Sequence, residues 1–410
     1  MTSSVQNLNA PATEPGVESN TVLPELDGDF SLVLGGPLYQ LYRRAHISGP
    51  YLEQLRRRLI IIPLIAWLPL ALLTTLRPGH AGAAHSFIRD VEVNVRFLVA
   101  LPVLIAGEVI IHRRLRFVLR SFVQRGLIRP DDMPAYNRAL QSAMRLRDSV
   151  WIEAALILGV YVGGIWLWGA REPVGGPTWY STTGARWDLT PAGYWYVFLS
   201  IPIFQVNLLR WYLRLVIWWR LLWQIARLNL QLVPIHPDRC GGMSFLGRGA
   251  FLFGPILFAE GAVLAGVIGN RVLNAGDSVL TYKFYAAGAV VFCLLIILGP
   301  LVMFTPALLR SKRAGFGDYG VFSASYVDAF EQKWIQPPPA YRKSALGSAD
   351  IQSLADLSNS YAIVREMRVV PFSTQDMINL AAVTLAPLIP LVLTVIPAKD
   401  LFARAIKLLL

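Results

Sequence analysis

The sequence predicts an all-α membrane protein, a polytopic bundle of about seven transmembrane helices, several kinked at proline, with amphipathic cytoplasmic helices. Three observations carry this. The 410 residues are 54% hydrophobic and only 16% charged, whereas water-facing domains carry about 25% charge. Apolar runs recur near the ~20 residues that a bilayer core requires. Arginine and lysine collect in alternate connections between those runs, as membrane orientation demands.

Residues 1–34 come first. They hold Glu14, Glu18, Glu25, Asp27 and Asp29 with Pro11, Pro15 and Pro24, and residues 1–29 contain no apolar signal region. That composition predicts a disordered tail. Residues 35–410 then form a single membrane domain.

The spans fall at about 59–76, 97–111, 149–168, 194–213, 250–269, 284–308 and 377–396. The second is short and needs its flanks. Before the last, Ser373-Thr-Gln-Asp376 offers an N-cap with an acid in the first turn. Pro63, Pro69, Pro102, Pro202, Pro255, Pro300, Pro306, Pro387 and Pro390 place a potential kink in nearly every span. Gly159 with Gly163, and Ala262 with Gly266 and Gly269, mark expected close helix contacts. No internal repeat is visible.

Direction follows from the basic residues. Arg43, Arg44, Arg56, Arg57 and Arg58 precede the first span. Arg113, Arg114, Arg116, Arg120, Arg125, Arg129, Arg138, Arg145 and Arg147 follow the second. More lie in 310–372, and few lie in the alternate connections. The N-terminus is therefore expected in the cytoplasm and, with seven spans, the C-terminus outside. The net charge of +12 flanks apolar runs rather than forming a basic face, so no nucleic-acid partner is expected.

From Tyr194 to Leu232 no helix breaker follows Pro202, which is about 58 Å if helical and too long for one crossing. Trp211 to Arg227 mixes tryptophan and arginine, a pattern suited to the headgroup zone. The span is expected to continue as an interfacial or cytoplasmic helix, the rival being a membrane-dipping hairpin. Of the cytoplasmic segments, 113–148 reads as helical with a break at Arg129-Pro130. Segment 310–372 reads as helices at about 319–335 and 350–369 separated by Pro337-Pro338-Pro339.

Ionisable groups inside a span cost roughly 2.5–3.5 kcal/mol each on insertion scales, so each invites a functional reading. Glu260 lies about 15 Å into its span, near the midplane. It is either a proton or cation site or a glutamate holding helices together. Glu108 and Glu153 lie one turn inside the basic boundary, with His112 at i+4 from Glu108. Arg210 reaches similar depth, so Arg210 is expected to pair with one of the two glutamates.

The loop His236-Pro-Asp238-Arg239-Cys240-Gly-Gly packs reactive side chains into a short stretch. A zinc site needs further ligands from a chain with five histidines and two cysteines, and a Cys–His nucleophile needs a base at hydrogen-bond distance. The plainer reading is a turn in which Pro237 fixes φ, Asp238 caps backbone and the glycines take positive φ. No metal, cofactor or disulfide is expected. Anionic lipid headgroups are candidate partners of the arginine-rich 113–147, although topology signalling accounts for those charges, and a protein partner is a candidate at 310–372.

Phe87-Ile-Arg-Asp-Val-Glu-Val-Asn-Val-Arg-Phe-Leu-Val-Ala-Leu-Pro, the His236–Gly242 motif followed by Ser244-Phe-Leu-Gly, Glu366-Met-Arg-Val-Val-Pro-Phe and Leu385-Ala-Pro-Leu-Ile-Pro-Leu occur together. In these stretches the chain, from about residue 35 onward, resembles a group of uncharacterised bacterial multi-pass inner-membrane proteins. The resemblance implies a bacterial inner membrane and assigns no activity or functional residue.

Three functions compete. A carrier or channel for protons or small ions rests on Glu260 and the Glu/Arg group. A non-catalytic membrane subunit or partner-docking protein rests on the two cytoplasmic segments. A membrane-embedded enzyme rests on His236–Cys240, and the balance leans away from it.

Overall fold

A computed structural model describes residues 30–33, 35–37, 40, 55–76, 87–170, 178–183, 185, 187–336 and 349–395. Its helices are α1 (Leu55–Thr75), α2 (Val91–Gln124), α3 (Met133–Arg147), α4 (Val150–Ala170), α5 (Pro191–Ala226), α6 (Phe245–Ala275), α7 (Val279–Trp334), α8 (Ala349–Glu366) and α9 (Thr374–Leu393). All except α3 and α8 are long and apolar enough to cross a membrane, which makes seven spans. Among the described residues the only β pairing is an isolated bridge between Ser181 and Leu189. The all-α bundle expected from hydropathy is the fold, and the chain is an integral, multi-pass membrane protein.

α6 is the most enclosed span, and it packs against α2, α9 and α7. Gly261 makes the α9 contact possible, because a Cβ there would stand 1.9 Å from the Thr384 carbonyl oxygen. Gly266 and Gly269 sit against Glu92 and Leu391, as their small size suggests. Gly159 and Gly163 do not behave this way. They face open space on α4, which is the peripheral span and exposes Trp151, Leu158, Val162 and Trp166.

α2 and α5 share a build. Asp90 caps α2 by accepting from the Val93 N–H, and Thr190 caps α5 by accepting from the Gly193 N–H. Each helix then makes one α turn and widens into a five-residue π turn, Arg96–Ala100 and Tyr196–Ser200. Each π turn is followed within two residues by proline, Pro102 or Pro202. Proline offers no N–H to the carbonyl four residues back and its ring crowds that oxygen, so a locally widened turn relieves the clash. No repeat of side-chain identity accompanies this likeness.

Several boundaries move. The second span, expected at 97–111, is a helix of 34 residues, about 51 Å long. It runs on to Gln124, where Gly126 at φ 65 ends it with the Leu127 N–H bonded to the Phe122 carbonyl. Arg129 is extended before the short turn Pro130–Asp132, which is the expected break.

α5 is one continuous helix, so the hairpin rival falls. In its second half Trp211, Arg214, Leu215, Trp218, Leu221 and Ile225 are buried, and α3 packs on it. The capping box at Ser373 and Asp376 is present. α7 continues past its span to Trp334 and pairs with α8 as a projecting hairpin. The Tyr326 hydroxyl donates to the Asp350 carbonyl at 3.1 Å, and Phe316 meets Tyr361 edge to face.

The disordered tail expected over 1–34 is corrected at its end. Phe30, Ser31, Leu32 and Val33 are buried. Phe30, Leu32 and Val33 carry apolar side chains that outweigh the acidic surroundings once a groove is available. Residues 1–29, Pro337 to Pro339 and the chain after 395 lie outside the described residues.

Candidate functional site

Five charged side chains from four helices meet inside the bundle. Glu108 on α2 takes Arg58 Nη2 of α1 on Oε2 at 2.5 Å and Arg214 Nη2 of α5 on Oε1 at 2.6 Å. Arg210, one turn before Arg214, places Nε 3.2 Å from Glu153 Oε1 of α4. All five are buried, with Glu108 and Arg214 each 4% exposed. The expected partner of Arg210 is thus Glu153.

Helix geometry explains the convergence. Arg210 and Arg214 are four residues apart and share a face, with Trp211 beside them donating to the Leu104 carbonyl at 3.1 Å. That bond holds α5 one turn from Glu108. On α1, Arg56 and Arg57 are exposed while Arg58 is turned inward.

Among the described residues three guanidiniums of this cluster face two carboxylates. Arg214 Nη1 is buried without a hydrogen-bond partner. An orphaned buried donor costs about 1–3 kcal/mol, more when charged. The cluster is stably built and locally unsatisfied.

The segment before α1 covers one side of it. Ser31 Oγ lies 2.8 Å from His112 Nδ1, the Ser31 carbonyl accepts from Arg147, and the Gly36 N–H donates to Asp148 Oδ1 at 2.9 Å. A Cβ on Gly36 would stand 3.5 Å from Glu153 Oε2. His112, at i+4 from Glu108 on α2, bonds this segment.

Glu260 stands apart. Its Oε1 accepts the Tyr212 hydroxyl at 2.5 Å, and no cation lies within ion-pair distance among the described residues. Cys293 of α7 lies near it and is itself hydrogen-bonded with Thr384 of α9. Tyr212 falls between Arg210 and Arg214 in sequence, and residues two apart on a helix do not face each other. Glu260 and the arginine cluster therefore use different faces of α5.

The His236 loop is a turn. Asp238 Oδ1 accepts the N–H groups of Cys240 at 2.8 Å and Gly242 at 3.1 Å, and Oδ2 accepts that of Ser244 at 3.0 Å. His236 Nδ1 lies 2.9 Å from Asp238 Oδ1. Burial opposes the Asp238 charge, but these donors outweigh it and hold its carboxyl below the usual carboxylate range. Arg239 takes φ 52 and pairs with Glu366 at 2.8 Å on the surface. Burial pushes the Cys240 thiol up to about 12 against the nearby Arg368, and its Sγ donates to the Val370 carbonyl at 3.5 Å. A thiol so held supplies no thiolate near neutral pH. Cys240 and Cys293 are both free, and among the described residues no group of three His, Cys, Asp or Glu could hold a metal.

Hydropathy and charge spacing find Glu108, Glu153 and Arg210 together. They miss Arg58 and Arg214. The spacing Arg210-x-x-x-Arg214 carried the signal for the second, whereas Arg58 differs from Arg56 and Arg57 only by rotation about α1.

No family model, curated protein or solved structure matches the chain. The class therefore rests on the fold and site, a seven-span helical membrane protein with a buried arginine and glutamate centre.

Proposed function

We propose that this protein carries protons or small ions across the bacterial inner membrane, its arginine-rich end in the cytoplasm. The Arg58, Glu108, Arg214, Arg210 and Glu153 cluster is the ion centre, and the ion is a small anion. Glu260, hydrogen-bonded by Tyr212, is the carboxyl that exchanges a proton. The observation that carries this reading is the buried Nη1 of Arg214, which has no hydrogen-bond partner among the described residues, in a cluster where three described guanidiniums meet two described carboxylates. A small anion would accept from that donor among the guanidiniums. The orientation rests on the gathering of arginines at one end of the bundle, and the bacterial membrane on the resemblance of the sequence stretches.

The test is flux in proteoliposomes under a pH gradient, with chloride, nitrate and inorganic phosphate in turn. The intact protein moves at least one of them and Arg214→Gln does not. Absence of flux for every ion with the intact protein, or full flux through Arg214→Gln, overturns the reading.

A second reading, a membrane subunit that docks a protein, is favoured by one observation. The α7–α8 hairpin projects from the bundle with Val321 73% and Phe322 56% exposed. A partner that co-purifies from solubilised membranes and is lost on Phe322→Ser supports that reading. The enzyme reading loses its nucleophile with Cys240.

A further inference from the structure

A cavity of about 330 Å³ opens between the second half of α2 and the start of α6. Arg113, Arg114, Arg125 and Arg248 line it together with Phe117 and Leu252. We propose that it binds the headgroup of an anionic phospholipid, with the phosphodiester among the guanidiniums and the Phe117 ring beside it.

The cavity is built for a bound anion. Arg125 is fixed in place, donating through Nη1 to the Gly242 carbonyl at 3.0 Å and lying 4.9 Å over the Phe245 ring. Arg248 Nη2 reaches the Ser244 hydroxyl at 3.4 Å. Arg113, Arg114 and Arg248 are exposed, and among the described residues no carboxylate lies within ion-pair distance of any of the four. Four cations converging without an acid repel one another unless an anion sits between them, and guanidinium pairs phosphate through two parallel donors.

Position selects a lipid over soluble phosphate. Arg113 and Arg114 lie two and three residues past Ile111, where the apolar stretch of α2 ends, which is headgroup depth for α2. Phe117, one turn further on, is 63% exposed. A bare aromatic ring among basic side chains suits the headgroup zone. Here the arginines form a defined pocket between two helices, so their charge acts at one site as well as along the connection.

The experiment uses the full chain in a neutral detergent, with melting temperature and native mass spectrometry as readouts. The probes are phosphatidylglycerol, phosphatidylcholine and inorganic phosphate. Phosphatidylglycerol raises the melting temperature above the phosphatidylcholine value and stays bound in the gas phase, and inorganic phosphate does neither. Arg113→Gln with Arg248→Gln weakens phosphatidylglycerol binding about 30-fold, the loss of two basic contacts, whereas Arg57→Gln on the exposed face of α1 leaves it unchanged. Equal lipid retention by wild type and the double variant overturns the proposal, as does a phosphate effect equal to that of the lipid. If the double variant does not fold, Arg113→Gln alone is read the same way, and retention equal to wild type overturns the proposal.

Discussion

Arg96 donates through Nη1 to the Tyr196 hydroxyl at 3.1 Å, and these two residues open the π turns of α2 and α5. The contact joins the helices that share a build, at the end of the bundle opposite the arginine cluster. Arg96 also pairs with Glu92 and lies 5.8 Å over the Phe204 ring. Removing the hydroxyl thus leaves the guanidinium partnered. Tyr196→Phe is expected to cost about 1 kcal/mol, read as a shift in the chemical unfolding midpoint in mixed micelles. A neutral result would mean that the two π turns are coupled by packing alone.

Glu108 and Glu153 should respond unequally to neutralisation. Glu108 serves Arg58 and Arg214 with separate oxygens, while Glu153 meets Arg210 at the longer distance of 3.2 Å. Glu108→Gln strands two buried cations and is expected to destabilise by about 3–5 kcal/mol. Glu153→Gln should cost less. Pairing Glu108→Gln with Arg214→Gln should recover part of the loss, a coupling measured by a double-mutant cycle. Additive losses would show that the 2.6 Å contact carries no net energy.

Much of this arrangement is legible in residue patterns, and the exceptions have physical causes. The run 149–168 coincides with α4 because that span touches little else, so hydropathy alone sets its limits. The run 97–111 falls short of α2 because Asp90, Glu92, Asn94 and Arg96 read as polar. In the fold they are satisfied locally. Asn94 Nδ2 donates to the Asp90 carbonyl at 2.9 Å and its Oδ1 accepts from Trp67 at 2.7 Å. Hydropathy charges each polar group its full desolvation and sees none of these bonds. The second half of α5 shows the same limit. Its mix of tryptophan and arginine gives no sign that α3 packs on it or that Arg214 pairs with Glu108.

Glu260→Gln tests the proton role without touching the arginine cluster. The amide keeps size and still accepts the Tyr212 hydroxyl, so melting temperature should change little. Loss of pH-driven flux with uncoupled anion flux retained is the expected outcome in proteoliposomes. Tyr212→Phe removes the hydrogen bond that holds the carboxyl and should slow flux without abolishing it. Unchanged flux in Glu260→Gln would assign Glu260 to helix packing.

The Asp238 turn predicts an acid-sensitive loop. Its carboxyl is held below the ordinary range in the folded chain, so the folded state favours the carboxylate. That stability is fully present above the unfolded value near 4 and is lost as pH falls through the lower, folded value. Asp238→Asn should therefore be less stable than wild type at pH 7, by about 1–3 kcal/mol for weakened acceptors to three N–H groups. The gap should narrow as pH drops below 4. The Cys240 thiol runs the other way. Raised to about 12, it costs no stability at neutral pH, and the folded state loses ground to the unfolded thiolate once pH rises past about 8.5. Maleimide labelling of Cys240 should accordingly be slow in the folded protein between pH 7 and 8 and fast after unfolding, with Cys293→Ala used to isolate the signal. Rapid labelling of the folded Cys293→Ala protein would mean that the turn opens and that the thiol is available for chemistry after all.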